Sequence, residues 1–484
     1  MARRLLLVAL LFSVAVACTL GPDYERPPLT VPEQWREVAA SEESLANLPW
    51  WELFQDEQLK SLIETALAEN RDLKIAIERI EEARAMYGFS RADLYPQIDA
   101  NATAGALQFS EGSLTHTPEG GMDTNTEIYN INVGLAWELD LFGRIRRANE
   151  AELANLLATE EARRAVALSV VAGVAQAYVE LRDLDLRLEI TRRTLESRRE
   201  YLALARDRFE GGITPELDMR QAEAELYRVQ SFVYQLEARV TQKENEISFL
   251  LGRSPSPIVR GRTVNQQPIP PQVPAGLPAS LLERRPDVRQ AEEQLTSANA
   301  RIGEAIAMRY PRIALTGSYG AASTDLSTLL DSPSETWNIF AGLTQPIFSA
   351  GKNKRRVEVR QSQQRQAVYA YERALLQALR EVEDALIALQ KAGEQRGSQG
   401  ERVAAERKVL ELSELRYRGG VADYLEVLDA QRSLFNAEID EVSTIGDHVT
   451  SLIRLYKALG GGWPVDAATA QQDSEPTAEK GSTG

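Results

Sequence analysis

The sequence predicts an α+β membrane protein built from long antiparallel helices of coiled-coil type and four β-strands per chain. Three observations predict it. The chain is written twice: Asp72 to Pro96 returns 215 residues later as Asp287 to Pro311. Further on the offset is 208, pairing Gly143 with Gly351, Arg208 with Arg416, Gly211-Gly212 with Gly419-Gly420, Leu217 with Leu425 and Gly252 with Gly460. Each copy contains two runs in which apolar residues alternate with polar or small ones, the mark of half-buried strands. Each also contains a helical stretch several times the globular average of roughly 12 residues. A repeat whose elements differ in period is a duplicated supersecondary module rather than a solenoid unit.

The chain opens with Arg3-Arg4 and an uncharged run from Leu5 to Ala17, too short for a bilayer span of about 20 residues but suited to a signal-peptide core. Residues 1–17 are therefore read as a signal peptide. Ala15-Val16-Ala17 sets small residues before Cys18, the single cysteine. That arrangement resembles a bacterial lipoprotein processing site, although leucine is usual where Ala15 stands. Cys18 is the expected lipidation site, and ordinary cleavage near Ala17 is the alternative. Thr19 follows rather than aspartate, which favours outer-membrane delivery. One cysteine allows no internal disulfide. The formal net charge of −16 argues against nucleic acid as a partner. No stretch after Cys18 is expected to have the length and apolarity of a membrane helix, so entry into a membrane would be by strands.

After an N-terminal segment of residues 18–55 comes the first copy, residues 56–252. Leu59, Leu62, Ile63, Ala66, Leu67, Leu73, Ile77 and Ile80 recur at three- and four-residue spacing, which predicts one helix from Asp56 to Leu94, ended by Pro96. Ile98, Ala100, Ala102, Ala104 and Ala106 then alternate at period two. Beyond a Gly- and Thr-rich loop, Tyr129, Ile131, Val133, Leu135, Trp137, Leu139 and Leu141 form a uniformly apolar face, over a length suited to a tilted membrane strand. The second copy, residues 283–464, repeats the theme with Ile313 to Ala321 and Trp337 to Ile347. Closed barrels begin at about eight strands, and an open sheet in lipid leaves its edge groups unpaired. Four strands thus predict a homo-oligomer whose subunits share one barrel.

Between Arg144 and Phe209 there is no proline and a single glycine, Gly173. Unbroken, that helix would be roughly 100 Å long. Val174, Leu181, Leu188, Leu195, Leu202 and Phe209 form a seam along it at intervals of seven. In the second copy Val382, Leu389, Val403, Leu410 and Tyr417 match, while Arg396 breaks the seam inside Gly393 to Gly400, where a helix interruption or loosened turn is expected. Gly211-Gly212-Ile213 and Gly419-Gly420-Val421 reverse the chain. They are the tips of two helical hairpins whose return helices run to Gly252 and Gly460. Residues 253–282 read as a proline-rich connector, and residues 465–484 as a small, polar tail expected to be disordered.

Nothing in the sequence asks for a catalytic reading. His116 and His448 are the only histidines, and neither lies near a Ser-Asp or Cys pattern. The glycine-rich segments lack the Lys-Ser/Thr ending of a phosphate loop. The chain is read as no enzyme, with no catalytic, cofactor-binding or metal residue.

Several segments carry a more specific resemblance. They are Cys18 with Gly21-Pro22-Asp23-Tyr24 and Pro27, the joint Trp137 to Gly143, the tip Tyr417-Arg418-Gly419-Gly420-Val421 running to Leu425, Asp429 to Leu434, and the closing Tyr456 to Trp463. Together they resemble the outer-membrane factors, the TolC-like ducts of bacterial tripartite efflux systems, in the NodT-type lipoprotein branch. The resemblance implies a homotrimer with a twelve-stranded outer-membrane barrel continued by a helical periplasmic tunnel. It also implies docking to a periplasmic adaptor protein and an inner-membrane pump. Carried over by position, Leu425 and Asp429 would lie at the periplasmic aperture, with Leu217 the first-copy counterpart of Leu425. The adaptor would meet the tips at Arg208, Gly211, Gly212, Ile213, Arg416, Arg418, Gly419, Gly420 and Val421. The expected function is passive conduction of drugs or other small molecules, in an outer membrane to which Cys18 anchors the chain. A protein-secretion duct of the same architecture and a non-conducting envelope scaffold are the alternatives.

Overall fold

The computed structural model describes residues 19–28, 30–36, 56–108, 125–266 and 278–461. Cys18, His116, the signal peptide and the C-terminal tail lie outside the described residues. In chain order the helices are α1 (Glu57–Glu69), α2 (Arg71–Ala92), α3 (Arg144–Glu210), α4 (Glu216–Leu250), the single turn α5 (Leu281–Arg284), α6 (Pro286–Ala307), α7 (Lys352–Arg418) and α8 (Tyr424–Ala458). The strands are β1 (Gln97–Gln108), β2 (Asn125–Leu139), β3 (Arg312–Ser323) and β4 (Glu335–Thr344). Both long helices, α3 and α7, have 67 residues, and both return helices, α4 and α8, have 35.

The chain forms two compact units. The first comprises Met1–Pro28, Arg79–Thr159 and Ala291–Tyr371. It holds the sheet, an antiparallel meander in the order β1-β2-β3-β4. The ladder of β4 stops at Thr344, short of the expected Ile347, where its partner β3 begins at Arg312 directly after Pro311, which has no N–H to give.

The second unit, Leu29–Glu78, Glu160–Gln290 and Glu372–Gly484, is helical. Its core follows the predicted seam from Val174 to Leu195, whereas Phe209 at the seam's end, beside the hairpin turn, is exposed. Val174, Leu181 and Val382 are fully buried. Leu188 and Leu195 of α3 pack on Val229, Val233 and Leu236 of α4, and Ile190 packs on Phe435 and Val442 of α8. Nearer the hairpin turns, Ala205, Ala222, Tyr417, Tyr424, Val427 and Leu428 join all four helices in one cluster. Asp56 caps α1 by accepting the Gln58 and Leu59 amides, and its other oxygen takes the Tyr178 hydroxyl and the Arg262 amide. One buried carboxylate thus ties α1 to α3 and to the connector.

Three further expectations are corrected. The first helix is two helices, broken at Asn70, whose backbone turns extended. The Asn70 side chain accepts the Leu73 amide at 3.0 Å and donates to the Leu250 carbonyl at 2.7 Å, so the break is held from the end of α4. By contrast α7 runs unbroken through Gly393 to Gly400. There α8 braces it: the His448 ring lies over Gly393, Gln399 donates to the Ala437 carbonyl at 3.0 Å, and Arg402 pairs with Asp440 at 3.0 Å. Finally, α3 does contain an 18-residue window of mean hydropathy 1.3, long and apolar enough by composition for a membrane. That window is 61% buried within the chain itself, and its apolarity is used in packing against the neighbouring helices.

Candidate functional site

Two regions carry the chemistry of the molecule, the faces of the sheet and the tips of the helical hairpins. Within the sheet the register sets like beside like. Ile98 lies opposite Leu135, Leu135 opposite Gly317 and Gly317 opposite Ile339. One residue pair along, Val133 meets Ala100 and Tyr319, and Tyr319 meets Trp337. Directly paired residues share a face, so these rows extend one apolar surface across all four strands. It is solvent-exposed in the single chain, with Ile339 at 78%. The other face carries Asp99, Asn101, Thr103, Asn130, Asn132, Thr316, Ser318 and Asn338, with Leu107, Ile128 and Phe340 its large apolar exceptions. Its carboxamides bond along and across strands, Asn132 to Asn130 at 2.7 Å and Asn338 to the Ser318 hydroxyl at 2.6 Å. Among the described residues β1 and β4 each have one partner strand, which leaves both edges open.

The joint between β2 and α3 is fixed by charge. Arg144 grips Glu138 with two bonds of 2.9 and 3.0 Å, and Asp140 accepts the Arg146 amide at 2.8 Å. The segment after Cys18 is strapped across this joint. Gly143, at φ +78, leaves room for Thr19, and Arg147 holds Asp23 at 2.8 Å and the Leu20 carbonyl at 3.2 Å. From α6, Asn299 bonds the Pro22 carbonyl, and Glu292 accepts from both Tyr24 and Arg26. Sequence reading noticed Gly21 to Tyr24 as a motif but not these partners, which come from elsewhere in the chain.

Both hairpin tips close with the same hydrogen bonds. Ile213 donates to the Arg208 carbonyl at 2.8 Å and Val421 to that of Arg416 at 3.0 Å, while Gly212 (φ +71) and Gly420 (φ +74) take the left-handed conformation. This is the Schellman closure. It presents apolar side chains at equivalent positions, with Ile213 at 68% and Val421 at 71% exposed, and Leu217 and Leu425 likewise exposed. Asp429 is exposed too. Arg416 pairs with Glu426 at 3.0 Å and Arg418 with Glu414 at 3.6 Å. Arg208 is turned inward, its guanidinium 4.8 Å from the centre of the Tyr417 ring. Two acids that sequence reading missed join it: burial, and then the Asp423 carboxylate, pushes the Asp218 carboxyl up, with Arg208 opposing.

The model of the outer membrane efflux protein family matches residues 62–253 and 277–461. The chain belongs to that family. The solvent efflux pump outer membrane protein SrpC of Pseudomonas putida is 38% identical over 93% of this chain and 96% of its own length. The cation efflux system protein CusC of Escherichia coli K12 is 35% identical over 93% of this chain and 98% of its own. Among solved structures, the open state of the Neisseria gonorrhoeae MtrE outer membrane channel covers 92% of this chain and 98% of its own, at 33% identity and a TM-score of 0.82. This outer membrane efflux protein therefore has the predicted fold class and is an outer-membrane channel component of an efflux system. Its family is one of channel proteins rather than enzymes.

Proposed function

We propose that three copies of this outer membrane efflux protein close one twelve-stranded barrel and that their helices continue it as a periplasmic tunnel. The observation that carries this reading is the register of the sheet. An apolar face four strands wide suits lipid, and two open strand edges in lipid require further strands to pair with. The duct is passive, and its energy comes from an inner-membrane pump reached through a periplasmic adaptor at the tips. Leu425, Asp429 and Leu217 line the periplasmic aperture, and Cys18 carries the lipid anchor. The exposed Ile213 and Val421 support adaptor docking at the tips, whereas the inward Arg208 acts there through Tyr417.

Relatives similar along nearly their whole length are named for solvents, toluene, antibiotics and cations. Cargo so unlike in chemistry supports selection by the pump rather than by the duct. The test is the native mass of the detergent-extracted mature protein, with the lipid on Cys18 read from the mass of its N-terminal peptide. Three chains are expected. A well-folded monomer in lipid-like detergent would leave the sheet open and overturn the shared barrel.

A further inference from the structure

Arg198 of α3 is 4% exposed, and its acidic neighbour, the wholly buried Glu225 of α4, is 3.7 Å away, beyond hydrogen-bonding distance. Glu225 is already engaged. Arg228 holds both its oxygens, at 2.5 and 2.9 Å, and Arg432 of α8 adds a third bond at 2.9 Å. One carboxylate thus faces three guanidiniums, and the Nε of Arg198 is buried with no partner among the described residues. A guanidinium removed from water without matched counter-charge and hydrogen bonds is strongly unfavourable. Burial lowers the pKa of Arg198, and the attraction of Glu225 offsets only part of that.

The same side chain lines a cleft of about 480 Å³ between α3, α7 and α8. Two acids and two further arginines stand in its wall, and they are spent on each other and on a phenol. Glu438 bridges Arg193 and Arg407 at 3.0 and 3.1 Å, and Glu414 accepts the Tyr201 hydroxyl. Gln431, also on the wall, is 3% exposed and lies beside the Tyr201 hydroxyl, and among the described residues neither atom of its carboxamide has a partner at full hydrogen-bonding geometry. Arg198 and Gln431 therefore both stand in the wall of one cleft, with the Arg198 Nε and the Gln431 amide covered at its surface.

We propose that this cleft binds an oxyanion, a carboxylate or phosphate-type group, held by Arg198 with the Gln431 amide as second donor. Two sources supply that chemistry: a free anion of the periplasm, or a carboxylate side chain of a second copy of this chain. The second source rests on the trimer proposed above; the first does not.

The experiment uses the mature, detergent-solubilised protein. Its unfolding midpoint is followed as sulfate replaces chloride at constant ionic strength, and its native mass is followed on dilution, in the parent, Arg198→Gln and Gln431→Leu. Sulfate stabilises proteins generally, so the reading is the difference between parent and variants. A free-ion site gives a saturable rise in the parent, with apparent affinity weaker by about tenfold or more in Arg198→Gln. A site filled by a neighbour gives no such difference, and the variants then dissociate at concentrations where the parent stays assembled. Identical sulfate response and identical dissociation in parent and variants overturn the proposal. If Arg198→Gln does not fold, Gln431→Leu, which keeps the volume and removes the amide, is read the same way. A monomeric parent would remove the trimer reading and leave the sulfate comparison to decide the site.

Discussion

Burial alone would raise the Glu225 carboxyl, but hydrogen bonds from Arg228 and Arg432 outweigh it and hold the group below its ordinary value of 4.5. A carboxyl depressed in the folded state adds stability that is complete above its ordinary value and is lost as pH falls through the folded one. The apparent unfolding midpoint should therefore drop as the medium is taken below about pH 4, with a shallower acid limb in Glu225→Gln. At neutral pH that substitution leaves three arginines without their carboxylate, at a cost of about 3–5 kcal/mol; a variant as stable as the parent would show the cluster to be uncoupled from folding. Glycines give a second residue-scale contrast. Gly460 has φ +74, and a Cβ there would lie 3.1 Å from the Arg284 carbonyl, whereas Gly397 is helical with nothing within 4 Å. Gly460→Ala should lower stability by more than about 1 kcal/mol and Gly397→Ala raise it by up to about 1 kcal/mol, measured in thermal scans at one rate. The charge cluster was not legible in the sequence, because Arg198, Glu225 and Arg432 meet only when three helices pack. The glycine turns were legible, since a Gly-Gly pair after a long proline-free run is a local signal.

At the scale of elements, the strands were the most legible. Period-two alternation needs only neighbours in sequence, and the register then aligned the faces. Val133→Arg, on the apolar face, should cost about 2–4 kcal/mol in a bilayer and deplete folded, assembled protein from outer-membrane extracts. Asn132→Arg, one residue along on the polar face, should leave that amount near the parent's; equal losses from both would deny the apolar face to lipid. Helix continuity was less legible than helix existence. Apolar spacing runs straight through Asn70, yet the break is held by the Leu250 carbonyl, 180 residues away in sequence. Glycines at 393, 397 and 400 weaken the local helix, yet bonds from α8 keep α7 whole.

At the scale of the whole molecule, function belongs to an assembly larger than the chain. Cells lacking the protein, in a strain without a substituting paralogue, should accumulate an efflux dye more than their parent. Unchanged accumulation across a broad substrate panel would count against small-molecule efflux. If three Asp429 carboxylates line the aperture, Asp429→Asn should reduce the preference for cations over anions in single-channel recordings, and unaltered selectivity would move the aperture elsewhere.

The sequence by itself determined the period of each element, the duplication, the reversals at Gly211-Gly212 and Gly419-Gly420 and the alternation of the strand faces. All of these are written in short-range spacing, which survives without knowledge of any partner. Only the tertiary structure decided that Asn70 divides a helix, that Arg208 stacks on Tyr417 instead of facing out, that Gly21 to Arg26 are strapped to α3 and α6, and that Arg198 is left short of counter-charge. Each depends on groups far apart in sequence meeting where water is excluded, and there the pairing of charges and hydrogen bonds, rather than local propensity, sets the energy.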